Sequence, residues 1–250
     1  MSLVDLVFDR YTLLARQRPA LLMLFPVLVA VVVIFPALRT WWATLLAVTG
    51  TCGVAVALAE FAQGKGKAIE PMLISRWDGL PSVAMLRHRD DRLDRTTKAR
   101  YKTFLEKNVS GLHFPDAPGE AQNPAGADNE YHSATRWLLS HTRDKRVFAL
   151  LFQQNISYGF RRNLLGLRPY GIGLSIVALL ATAAAAAYQF LSNGHADSAD
   201  FISGLISVAA LWFWVLVVTP SWVTIAANGY AFELLAFCDK LNSRANRKQS

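Results

Sequence analysis

The 250 residues carry 26 lysines and arginines against 18 aspartates and glutamates, a formal net charge of +8, and 53% apolar side chains with mean hydropathy +0.25. That apolar share exceeds the ~45–50% usual in soluble domains and is concentrated in blocks, which excludes a plain soluble globule and points to an integral membrane protein. Basicity combined with such blocks reads as Lys and Arg held on one side of a bilayer against anionic headgroups, not as a nucleic-acid-binding surface.

Residues 1–19 place Val4, Val7, Phe8, Tyr11 and Leu14 at helical spacing and predict an amphipathic cytosolic helix, separated by Pro19 from the first apolar run. Residues 20–61 hold only two charges, Arg39 and Glu60. They divide around Arg39 into two runs near the ~20 residues a helix needs to cross ~30 Å of hydrocarbon, a first transmembrane hairpin. A kink is expected at Pro26. In the second run Gly50, Gly53 and Ala57 share a helical face, where small side chains let a neighbouring helix approach closely. Glu60 is expected at headgroup depth.

Residues 62–169 contain no apolar block of spanning length and hold 18 of the 26 cationic residues, which makes them the expected cytosolic domain. The Gly64-Lys65-Gly66-Lys67 stretch reads as a turn. Asp78-Gly79 with Pro81 predicts a further turn leading into a short helix to about Arg87. Asp94 is placed to cap a helix over 95–107 with Ala99, Phe104 and Leu105 inward. Residues 110–127, rich in proline and glycine, read as a loop, and Asp128 as the cap of a helix to His141. Another helix is expected over 145–165.

Residues 170–225 form the second predicted hairpin. Its first span, 170–191, is uncharged, and its second starts near Phe201 and either stops at Pro220 or kinks there. Trp212 and Trp214 fall near mid-bilayer, an unusual depth for tryptophan that suggests packing on another helix or subunit. Residues 226–250 read as a C-terminal cytosolic helix with a basic, disordered tail. Cys52 and Cys238 have unlike surroundings and suggest no disulfide.

Three lysines or arginines precede the first span, one lies in the first hairpin loop, none in the second, and four follow the last span. Both termini and the central domain are therefore expected in the cytosol, with the chain multi-pass in the plasma (inner) membrane. Arg161, Arg162 and Arg168, just before the third span, are placed for lipid phosphate or a phosphate-bearing ligand. Arg76, Arg87, His88, Arg89, Arg92 and Arg95 form the densest charged stretch, a surface for a partner protein or anionic ligand. His88-Arg89-Asp90 lacks every companion motif of a kinase, and no histidine spacing suits zinc.

The expected fold is all-α: four transmembrane helices in two hairpins around a helical cytosolic domain, assembled as a homo-oligomer. No metal, cofactor or enzymatic activity is expected. The expected function is a membrane sensor or effector whose cytosolic domain receives a partner or anionic ligand and whose helices rearrange, as a regulated pore or membrane-disrupting assembly. The alternative is a non-enzymatic scaffold or assembly factor recruiting a cytosolic protein.

Overall fold

The structure, a computed structural model, describes residues 10–35 and 53–247, with side chains to Leu241. Every element among these residues is helical. In order they are α1 (Thr12–Ile34), α2 (Val54–Ala68), α3 (Glu70–Arg76), α4 (Pro81–Ala84), α5 (Arg95–Asn108), α6 (Ala117–Gln122), α7 (Pro124–His141), α8 (Ala149–Asn193), α9 (Ser198–Val217) and α10 (Pro220–Arg247). Three of them, α1, α8 and α9, are long and apolar enough to cross a membrane. Residues 36–52, which include Gly50 and most of the second expected span, lie outside the described residues.

The chain divides into two compact units: Met1–Pro71 with Ile156–Val223, and Met72–Asn155 with Thr224–Ser250. In the first, small residues permit backbone-close packing. Gly66 of α2 lies against Asn163 of α8, and a Cβ added at Gly166 would overlap the Lys65 carbonyl and stand 2.6 Å from the Gly66 nitrogen. Gly159 admits Tyr11, the residue before α1, and Ala15 of α1 in the same way, and Asn163 Nδ2 donates to the Ala15 carbonyl at 2.7 Å. Ala59, Ala62 and Gly66 are the buried face of α2. Leu180, Leu205 and many other apolar side chains of this unit are exposed, an apolar surface compatible with contact to lipid.

Several elements differ from expectation. Pro19 does not break the first helix. It stands in the first turn of the α-helical part, Arg18–Ile34, where its missing N–H costs least, and a π-helical stretch over Thr12–Gln17 leads into it. The Gly64–Lys67 stretch is helical, because α2 continues to Ala68 with Gly66 filling the tight crossing with α8. Gly53 packs on none of the described residues. It takes φ +74° at the start of α2, with no atom near its α-carbon face, and Ala57 is exposed, so the small-residue face lies on Ala59 and Ala62 instead. The two helices expected over 145–165 and 170–191 are one, α8, which continues through Pro169; at 1.5 Å per residue its 45 residues extend about 68 Å, twice the hydrocarbon thickness. The last membrane-length helix ends at a π turn over Phe213–Val217, and Pro220 opens α10, which stays helical to Arg247 in place of the expected disordered tail.

The second unit has its own core, in which α4, α5, α7 and α10 meet around Leu86, Leu105, Tyr131, Leu138 and Leu234, all fully buried. Ala231, Leu234, Leu235 and Cys238 fall on one stripe of α10, which brings the C-terminal helix into this unit. Helix α4 ends at Ala84, short of the expected Arg87. Asp94 caps α5 by accepting from Thr97 N at 2.8 Å, but Ala99 is exposed and Lys98, Tyr101 and Lys102 are inside. The expected loop over 110–127 contains α6. Asn123, not Asp128, caps α7 through Gly126 N at 3.0 Å, with Pro124 in the first turn.

Candidate functional site

The richest polar chemistry lies in the second unit, where the end of α4 meets α5, α6 and α7. Its anchor is Arg87, whose side chain is 7% exposed. Nε and one terminal nitrogen donate to the two carboxylate oxygens of Asp128 at 2.8 and 2.7 Å, a bidentate pair. The other terminal nitrogen donates to the carbonyl of Asp78 at 2.6 Å and to its carboxylate at 2.8 Å. Asp78 reaches it from a turn with φ +54°, a conformation aspartate tolerates better than most residues, and Gly79 follows at φ +113°. That fork fixes the backbone from which His88 projects.

His88 joins two branches. Its backbone N–H donates to Glu120 Oε2 at 2.8 Å, and its ring Nε2 lies 3.0 Å from the Pro115 carbonyl and 2.9 Å from Lys102 Nζ. Lys102 Nζ also donates to Tyr131 Oη at 3.2 Å, and Tyr131 Oη donates to Glu120 Oε2 at 2.6 Å. One turn earlier on α5, Lys98 Nζ donates to the carbonyls of Arg87, at 2.7 Å, and Asp90. Burial pushes the Lys102 ammonium down to about 8 and lowers Lys98 as well. It also raises the Tyr131 phenol, an effect reinforced by the carboxylate of Glu120. Burial alone would raise Glu120, but the hydrogen bonds from Tyr131 and His88 N outweigh it and hold Glu120 below its ordinary value.

Two cavities flank the segment from Phe114 to Ala117, and His88 and Ala117 line both. One, about 520 Å³, is bordered by Arg87, Arg89, Glu120 and Asp128. The other, about 680 Å³, is bordered by Arg95, Lys98, Lys102, Glu106, Phe114 and Asp116. In this second groove the Lys102 ammonium faces the rings of Tyr131 at 5.0 Å and Phe114 at 5.5 Å. Neither Lys98 nor Lys102, 6% and 8% exposed, has a carboxylate within salt-bridge distance among the described residues. Each ammonium has three N–H groups, and the protein partners named above account for two of them.

The structure thus brings together Arg87, His88, Arg89 and Arg95 of the expected charged surface. Arg92 turns aside to Asp90 and to Asn228 Oδ1 at 2.8 Å, and Arg76 is exposed at the end of α3. The other three arginines, in the first unit, do not converge. Arg161 donates to the Trp222 carbonyl at 3.0 Å, and Arg162 pairs with Glu70 at 3.0 Å. Arg168 donates to the carbonyls of Trp214 and Val215 at the end of α9, where helix carbonyls lack partners. Trp214 is buried against Gly171 of α8, whereas Trp212 is exposed.

Sequence reasoning missed Lys98, Lys102, Glu120 and Tyr131 as site residues. A signal existed: Lys98, Tyr101, Lys102 and Leu105 stand at i, i+3, i+4 and i+7, so two lysines occupy the inward stripe of α5. It also missed Asp200, which is 2% exposed near the start of α9 with no hydrogen-bond partner for either oxygen among the described residues. No group of three or more metal-ligating side chains occurs among the described residues. No protein-family model matches the chain, and neither a curated protein nor a solved structure matches it.

Proposed function

We propose that this protein is an integral membrane sensor or effector: its second unit, on the cytosolic side, receives an anionic ligand, and its membrane helices rearrange in response. The observation that carries the reading is the pair of buried lysines, Lys98 and Lys102, one turn apart on the wall of an open groove, with carboxylates near them but none within salt-bridge distance among the described residues. Buried ammonium groups are costly to desolvate, and an oxyanion in the groove would supply the direct charged contact that the neighbouring carboxylates do not make. Phe114 gives the groove one apolar wall, suited to a ligand that is charged at one end.

The reading places four helices in the inner membrane in two hairpins, both termini in the cytosol, and the second unit's central segment between the hairpins. Helices α8 and α10 each contribute residues to both units, so they are the elements through which a ligand would act. Exposed Trp212 on α9 supplies a contact for a second copy in a homo-oligomer.

The test is ion release from liposomes carrying the purified chain, with phosphorylated and carboxylated small molecules added to the cytosolic face. Release stimulated by one class, and lost in the double variant Lys98→Met with Lys102→Met, is the expected result. Absence of both binding and release, together with stoichiometric capture of a cytosolic protein, would replace the reading by the scaffold alternative.

A further inference from the structure

Resting on that reading of the groove, we propose that its ligand group is an oxyanion bound together with a proton, and that binding unlatches the Phe114–Ala117 strap from His88. The argument is one of hydrogen-bond valence. Nε2 of an imidazole carries either one hydrogen or one lone pair. It bonds the Pro115 carbonyl only as a donor and an ammonium only as an acceptor, yet it lies 3.0 Å from the first and 2.9 Å from Lys102 Nζ. With Lys102 as the neutral amine, Nε2–H donates to Pro115 and the strap is latched. With Lys102 as the ammonium, Nε2 turns its lone pair to it and the Pro115 carbonyl loses its donor.

An oxyanion in the groove favours the second state. Facing Lys102 are His88 from the end of α4, Lys98, Arg95 and Glu106 from α5, Tyr131 from α7 with Glu120 of α6 behind it, and Asp116 of the strap. With the Lys102 ammonium itself, Arg95 and Lys98 give the groove three cations against the two carboxylates that border it, Glu106 and Asp116, so a bound anion stabilises the charged amine. Because Lys102 titrates near about 8, the free groove is divided between both states in the neutral to mildly alkaline range. By linkage, a ligand that selects the ammonium takes up a proton, and a proton that forms it raises affinity.

Other holds on the strap include Phe114 N donating to Glu106 Oε1 at 2.8 Å, the Phe114 ring stacked on Tyr131 at 5.4 Å and under the Lys102 ammonium at 5.5 Å, and Asp116, which caps α6 by accepting from Gly119 N at 2.8 Å. Phe114 and Glu106 border the same groove, and the strap stands between it and the other cavity, so loss of the His88 latch changes the separation between the two. That gives the site a moving part.

The experiment is calorimetric titration of the full chain in lipid nanodiscs with sulfate, a tetrahedral dianion that stays fully ionised across the range, in two buffers of different ionisation enthalpy. Affinity is expected to fall about tenfold between roughly pH 7 and 9, with net proton uptake near the middle of that range. Lys102→Arg, which keeps the cation permanently, is expected to bind sulfate without the pH dependence. His88→Asn is expected to leave the proton uptake but to abolish a sulfate-dependent rise in amide exchange over residues 113–117. Sulfate binding that is independent of pH in the unaltered chain would overturn the proton coupling while leaving the anion groove standing. No sulfate binding at any pH would overturn the groove reading and this inference with it.

Discussion

Replacing Gly166 by alanine tests the packing that joins α2 to α8. A Cβ there would overlap the Lys65 carbonyl and lie 2.6 Å from the Gly66 nitrogen, against 3.4 Å for ordinary contact, so the helices must separate by about 0.8 Å or more. The opposing atoms are backbone, and no rotamer change relieves them. Overpacking of this kind costs roughly 1–3 kcal/mol, and with no side chain to yield the upper end applies. Alanine returns about 1 kcal/mol of helix propensity, leaving a net loss of about 2 kcal/mol. Gly173, further along the same helix, has no atom within 4 Å of its Cβ position, and Gly173→Ala is expected to be neutral or stabilising by up to about 1 kcal/mol. The assay is denaturation of the two purified variants in detergent, followed by tryptophan fluorescence. Equal stability of the two variants would refute the crossing.

Three further outcomes are expected. Arg87→Met removes the cation shared by Asp128 and Asp78, of which Asp78 is exposed and keeps Arg89; the loss of the charged hydrogen bonds to Asp128 is expected to cost about 2 kcal/mol, read as a lower denaturation midpoint of the second unit. The folded pKa of Lys102, about 8, lies below its unfolded value, so between about 8 and 10.5 the unfolded chain binds more protons; stability is therefore expected to rise with pH through that window, and Lys102→Met to remove the slope in a denaturant titration. Cys238 is buried with its thiol pushed up to about 12, chiefly by burial, so maleimide labelling of this residue is expected only on unfolding, which mass spectrometry of the labelled peptide reads directly.

The all-helical class and the apolar helices were legible because they rest on long, repeated patterns that survive local detail. Boundaries were less so. Pro19, Gly64 and Gly66 signal breaks in water-exposed helices, but Pro19 and Gly66 each fit a helix for a tertiary or positional reason: a first-turn position for Pro19 and close approach of α8 for Gly66. The expected loop over 110–127 contained its own caps, Asp116 and Asn123, each followed by proline in the first turn. Those caps were readable, but the surrounding glycines and prolines obscured them. Arg87, His88 and Arg89 were legible as a charge cluster, whereas the pairing of Arg87 with Asp128, 41 residues on, depends on how α4 meets α7.

The inward lysines of α5 are the instructive case. An apolar residue at position 98 or 102 would bury at a gain, while an ammonium there loses hydration and recovers carbonyl, hydroxyl, imidazole and ring contacts but no direct ion pair among the described residues. A helix that merely needed to pack would be better served by leucine at both positions. Departures of this kind from the rule that locally sensible choices agree with the fold are concentrated where a protein does its work. The two lysines border the larger cavity and share it with Arg95, and Lys102 touches the histidine whose ring nitrogen faces two incompatible partners. On the proposed reading, the desolvation cost is the strain that an incoming anion would relieve, and that relief is the free energy a binding event would have available for changing the protein's shape.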